Sequence, residues 1–218
     1  MLENIDLYCE RLGPGIWAEP INAFTNLAFL VAAVAAWRLA NQYRLLSVET
    51  RLLIGLMVAI GIGSGLFHTF ATSWSRVLDV LPILLFQIAY LWIYGSRIIM
   101  MRTVHLAGLV LLFLIAAYIG RQFPHLLNGS FIYLPAFILL LGLGLYHHHH
   151  AQIEPTLLLW ATAIFSVSLF MRSIDLVVCK YFPVGTHFFW HLFNGLLVYL
   201  AFRGLLMNLT TSERRVDS

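Results

Sequence analysis

Gly61-Ile62-Gly63-Ser64-Gly65-Leu66-Phe67-His68, continuing to Arg76-Val77-Leu78-Asp79-Val80-Leu81-Pro82, sets a serine, a histidine and an aspartate inside strongly apolar sequence. Ser64 and His68 are four apart, so on a helix they share a face, one turn from each other. The two apolar segments are separated by a short polar break, Thr72-Ser73-Trp74-Ser75-Arg76, and Asp79 opens the second. The surroundings decide the solvent. Of 218 residues, 61% are apolar and 11% charged, and the mean hydropathy is +0.85. A soluble domain of this size cannot hide so much apolar surface, so the bilayer takes the place of water. Ionisable groups there are costly and mark a functional site by default. For His68 alone, a hydrogen-bonded interfacial histidine is the plainer reading, so the case rests on what else can reach it.

Working outward at about twenty residues per crossing, seven spans emerge. They run Asn22–Ala40, Leu52–Ala71, Val77–Tyr94, Val104–Gly120, Phe131–Tyr146, Thr156–Ser173 and Thr186–Leu206. The expected architecture is an all-α integral membrane protein, a bundle of seven transmembrane helices in one domain over 1–218. Residues 1–21 form an outer segment, 22–206 the helices and 207–218 a polar tail, read as disordered from Asn208. The polar, acidic start lacks the basic and apolar pattern of a cleavable signal peptide. The net charge of +3 is small and its basic residues sit at helix ends, which speaks of membrane orientation and against nucleic acid. Gly61-Ile62-Gly63-Ser64-Gly65 lies within an apolar helix, where small residues serve close packing, so it is no nucleotide loop. An outside N-terminus leaves eight basic residues on the cytoplasmic side (Arg38, Arg44, Arg51, Arg97, Arg102, Arg203, Arg214, Arg215) against five outside. That bias favours N-out and C-in, in a bacterial inner membrane or, in a eukaryote, the endoplasmic reticulum or Golgi.

Parity then brings the polar residues together. The second span ends on the side where the third and seventh begin. His68 and Ser64 therefore meet Asp79 and the first turns of the last span, Thr186-His187-Phe188-Phe189-Trp190-His191. His187 and His191 stand at i and i+4, the spacing that aims two imidazoles from one helix at one metal ion. His68 makes a third ligand and leaves a fourth position open, the pattern of catalytic zinc. Zinc lowers the pKa of its water to roughly 7. Asp79 is the natural general base or orienting acceptor for that water. Ser64 is placed to donate a hydrogen bond to a developing oxyanion.

The run GxGSxxFH, then LDxLP after ten residues, then HxxWH at the start of the last span, resembles the alkaline ceramidase family. That family belongs to a superfamily of seven-span zinc hydrolases that includes the adiponectin-receptor-like proteins. The resemblance implies zinc on His68, His187 and His191, with Asp79 and Ser64 as catalytic partners. It also implies hydrolysis of a ceramide-like lipid, drawn from the bilayer, to fatty acid and sphingoid base. Two departures stand out: Val80 where a glutamate is common, and Arg76 where a glutamine is usual. Two alternatives stay open, a hydrolase of a non-sphingoid acyl lipid and a seven-span receptor or transporter with a structural metal.

The N-terminal segment carries acidic side chains just outside the first span, candidate oxygen ligands for calcium. By the resemblance, Glu10 and Glu19 match a calcium site, while Asp6 lies one position early and Leu12 replaces a side-chain ligand. Cys9 and Cys179 both fall on the outer side, where an oxidising compartment allows them to pair, and the resemblance points the same way. His147-His148-His149-His150 falls at the opposite end and reads as a cytoplasmic loop. Asp175 and Arg172 read as an ion pair or a headgroup contact.

Overall fold

Without water in the hydrocarbon layer, every backbone amide must be satisfied inside its own segment, so an apolar chain of this length folds as helices. The computed structural model describes residues 4–151 and 153–216. The helices are α1 (Pro20–Thr25), α2 (Leu27–Gln42), α3 (Val48–Phe70), α4 (Ser73–Arg97), α5 (Thr103–Arg121), α6 (Leu134–His150), α7 (Leu157–Val178) and α8 (His187–Val216). A 3₁₀ segment, Leu126–Tyr133, precedes α6. Helices α1 and α2 join across Asn26 into one span, and the 3₁₀ segment joins α6, giving seven helices among the described residues that are long and apolar enough to cross a membrane. The chain is an all-helical, seven-span membrane protein, with no strand among the described residues.

Three local expectations change. The polar break Thr72–Arg76 is the start of α4: Thr72 and Ser75 form a reciprocal capping box that satisfies the first free amides. The tail is helical as far as Val216, with Asn208 bonded to the backbone of Ile153 and Gly204; residues 217–218 lie outside the described residues. The four histidines are the last turn of α6 and no loop. Within that turn His147 is buried, accepts a hydrogen bond from the Tyr94 hydroxyl at 2.6 Å and donates to the Glu154 carbonyl at 3.2 Å.

Packing is inverted relative to a soluble protein. Large apolar side chains such as Val31, Trp37, Leu111 and Leu112 face outward, while Phe29, Met57, Ile60, Tyr94, Phe202 and Leu205 fill the interior. The pairs α3 with α4, α7 with α8 and α2 with α8 form the main contacts. Gly63 explains the first. A Cβ there would lie 2.0 Å from the Leu78 carbonyl oxygen, so only glycine lets α3 and α4 approach beside Ser64 and Asp79. Gly63→Ala should lower the melting temperature of the detergent-solubilised protein by the equivalent of about 1–3 kcal/mol. Gly55→Ala, where an added Cβ meets nothing within 4 Å, should leave it unchanged.

At the other end of the bundle Arg203 grips Glu154 with both faces of its fork, through Nε at 2.8 and 3.0 Å and through Nη2. These bonds hold the Glu154 carboxyl below its usual range against a smaller effect of burial. A carboxylate held low in the fold stabilises above its unfolded pKa of about 4.3 and loses that contribution as pH falls through the folded value. Thermal unfolding scanned between about pH 6 and pH 3 should therefore show less acid sensitivity in Glu154→Gln than in the parent.

Candidate metal centre

Three imidazoles meet where α3 ends and α8 begins. His68, His187 and His191 are 1–2% exposed, with ring centroids 4.7 Å (His68–His191), 4.8 Å (His187–His191) and 5.2 Å (His68–His187) apart. One candidate ligand atom from each lies within 4.8 Å of the others. Neighbouring groups set the tautomers. The His68 Nδ1–H donates to the Glu19 carboxylate at 2.6 Å, which leaves Nε2 with a free lone pair. The Thr25 hydroxyl already donates to the Ile21 carbonyl at 2.8 Å, so at His191 it accepts from Nδ1–H at 2.9 Å. His191 Nε2 is buried and, among the described residues, without a hydrogen-bond partner; so is Nδ1 of His187. Buried nitrogens left bare in this way are costly unless a cation takes them. The donor set fits a borderline-soft divalent ion such as zinc.

Ser64 and Asp79 stand at the same level. Ser64 is buried one turn before His68 and faces the half-buried Asp79, with His68, Arg76 and Arg172 as further electrostatic neighbours of that carboxylate. Arg172 does not pair with Asp175. It donates to the Asn128 carbonyl (2.7 Å) and the Ser130 hydroxyl (2.9 Å) and lies over the rings of Tyr133 and Trp190. An apolar cavity of about 100 Å³ is lined along α8 from Trp190, the residue before His191, to Ala201.

The sequence profile of the family described as Ceramidase matches residues 9–217. The chain belongs to the ceramidase family. No curated protein matches it. Family membership and the seven spans together make this chain a membrane protein of a lipid amide hydrolase family.

In this chain the N-terminal segment folds back over the histidines. Cys9 and Cys179, 170 residues apart in sequence, are joined by a disulfide. Tyr8 stacks on His187 at 3.6 Å, and burial pushes its hydroxyl pKa far above the usual value. Asp175, expected in an ion pair, instead accepts backbone N–H bonds from Cys9 (3.0 Å), Thr186 (2.6 Å) and His187 (2.9 Å), so α7 caps the first turn of α8. Gly185, at φ +68°, permits that turn, because a Cβ there would fall 2.2 Å from the Asp175 carboxylate.

The two acidic residues read as calcium candidates are each committed elsewhere. Glu10 accepts the Ile21 and Asn22 amides at 2.6 and 2.8 Å and so caps α1; burial raises its pKa against those bonds. Glu19 holds His68 with one oxygen and Arg11 with the other. Burial alone would raise its carboxyl, but the His68 and Arg11 interactions outweigh that and hold it below the usual range.

Sequence reasoning missed Thr25 and Asp175 as supports, and it missed Arg11 entirely. Thr25 stands four residues after Ile21, where its hydroxyl is consumed by its own helix, and only the third dimension reveals His191. Thr25→Val should weaken zinc retention about 10- to 100-fold, measured by competition with a chromogenic chelator.

Proposed function

We propose that this ceramidase-family protein is a zinc-dependent amidohydrolase that cleaves a ceramide-like lipid to a fatty acid and a sphingoid base. The observation that carries the reading is the meeting of three buried imidazoles, two with bare nitrogens, at the level of Ser64 and Asp79, with an apolar cavity lined from the neighbouring Trp190 along the same helix. His68, His187 and His191 would hold the zinc ion. Zinc in that position supplies Lewis acidity, polarising a carbonyl and lowering the pKa of water to roughly 7.

The chain's own groups do the rest. The cavity, lined by Phe29, Ile60, Phe86, Leu140, Phe165 and other apolar side chains, takes hydrocarbon and excludes water. Gln87 and Asn194 interrupt that lining with amides. From His191 to Ala201 the helix rises about 15 Å, enough for a lipid chain to lie with its amide at the histidines. Asp79 accepts a proton from the attacking water as the oxygen bonds to the amide carbon. Ser64 donates a hydrogen bond to the carbonyl oxygen as it gains charge. Asp79 then returns the proton to the nitrogen as the carbon–nitrogen bond breaks, releasing amine and acid. The basic-residue bias supports an outside N-terminus, and a disulfide at that end agrees with an oxidising compartment.

Asp79→Asn should keep zinc and lose turnover by about 10²- to 10⁴-fold on a fluorescent N-acyl sphingoid substrate. Loss of the metal with the activity would make Asp79 a structural residue. A parallel screen of non-sphingoid lipid amides and esters, read by released fatty acid, decides the substrate class. An inactive protein that holds zinc firmly would instead favour a receptor.

A further inference from the structure

The acidic N-terminal segment suggests a calcium site, yet the residues present do not fit one. Calcium takes six to eight oxygens. Of the candidates here, both Glu10 oxygens accept backbone amides. The Glu19 oxygens are divided among Arg11, His68 and Asn22. Asp6 is exposed, and Leu12 is 89% exposed and has no oxygen to offer from its side chain.

The centre of the segment is already filled. Arg11 is 3% exposed, and its guanidinium reaches acceptors in three separate stretches. Nε donates to Glu19, Nη1 to the carbonyls of Gly13 (3.1 Å) and Gly15 (3.4 Å), and Nη2 to the His68 carbonyl at 2.9 Å. We infer that the Arg11 guanidinium is a built-in cation that takes the place of calcium in ordering this segment, and that it positions His68.

The chemistry suits the task. Arginine stays charged at any physiological pH, and its planar fork can serve carboxylate and carbonyl together. A divalent ion entering the same space would meet a fixed positive charge and no free carboxylate. The positioning role follows from where the bonds end. Arg11 touches His68 twice over: directly at its carbonyl, an unsatisfied acceptor in the last turn of α3, and indirectly through the Glu19 carboxylate that fixes its tautomer. Both bonds keep the His68 ring turned toward His187 and His191. The positioning half rests on the proposed zinc site, whereas the calcium half does not.

The test has two arms. In the first, calcium chloride is titrated into zinc-loaded, detergent-solubilised protein, read by calorimetry and by melting temperature. No saturable heat and no shift in melting are expected. Saturable binding with a rise in melting temperature overturns the inference. Neither readout needs hydrolysis, so this arm can fail while the amidohydrolase reading stands, and the reverse. In the second arm, zinc affinity is compared in Arg11→Gln, Arg11→Lys and the parent. Arg11→Gln should hold zinc about 10- to 100-fold more weakly, with Arg11→Lys recovering part of the loss through its retained charge. Parent-like zinc affinity in Arg11→Gln refutes the positioning role. Should Arg11→Gln fail to fold, the calcium titration on the unaltered protein still decides whether the guanidinium has taken the ion's place.

Discussion

Three imidazoles withdrawn from water, with two ring nitrogens left bare, are the constraint around which this bundle is arranged. An isolated buried polar atom is destabilising by about 1–3 kcal/mol, and a seven-helix bundle in lipid has apolar alternatives for every such position. The chain instead surrounds the cluster with further polar groups: Glu19 on one ring, Thr25 on another and Tyr8 stacked on the third. Glu19 and Thr25 each bond the Nδ1 edge of their ring, and Tyr8 stacks on the face of His187. The three rings are thereby held in place by groups of the chain itself.

Those supports come mostly from the shortest and least helical part of the protein. Residues before α2 provide Tyr8, Arg11, Glu19 and Thr25, while the spans provide the histidines themselves. The segment is fastened at separate points: the disulfide to Cys179, the Cys9 amide on Asp175, the Arg11 fork on the end of α3, and Glu10 on the start of α1. Asp175 joins two of these tasks, because the same carboxylate that receives Cys9 also caps the turn carrying His187. A shift of the segment is thereby felt at α8 as well as at α3.

The architecture was readable because apolar length and span parity are coarse quantities. Twenty apolar residues must cross, and seven crossings bring the end of the second span to the start of the third and seventh. That logic reached His68, Ser64, Asp79, His187 and His191 without any coordinate. It failed where meaning depends on direction. Nothing in the sequence distinguishes Arg11, folded inward onto Glu19, from a solvated loop arginine, and Asp175 resembles any charge at a helix end until its backbone partners are seen. The tail misled for a similar reason: Asn208 looks like the onset of a polar terminus, yet it bonds back to Gly204 and across to Ile153. His147 misled too, since a run of four histidines hides the fact that one of them points inward to Tyr94.

The cavity beside Trp190 is lined only by residues of the membrane-spanning segments. A molecule that fills it therefore arrives by partition from the surrounding lipid, and its effective concentration is a mole fraction in two dimensions. Under the proposed hydrolysis, kinetics in detergent would obey surface dilution: adding micelles at constant total substrate would slow the reaction although nothing in the aqueous phase has changed. Both products of the proposed hydrolysis are amphiphiles, so crowding of the lipid sheet, and no aqueous equilibrium, would set how readily the cavity empties.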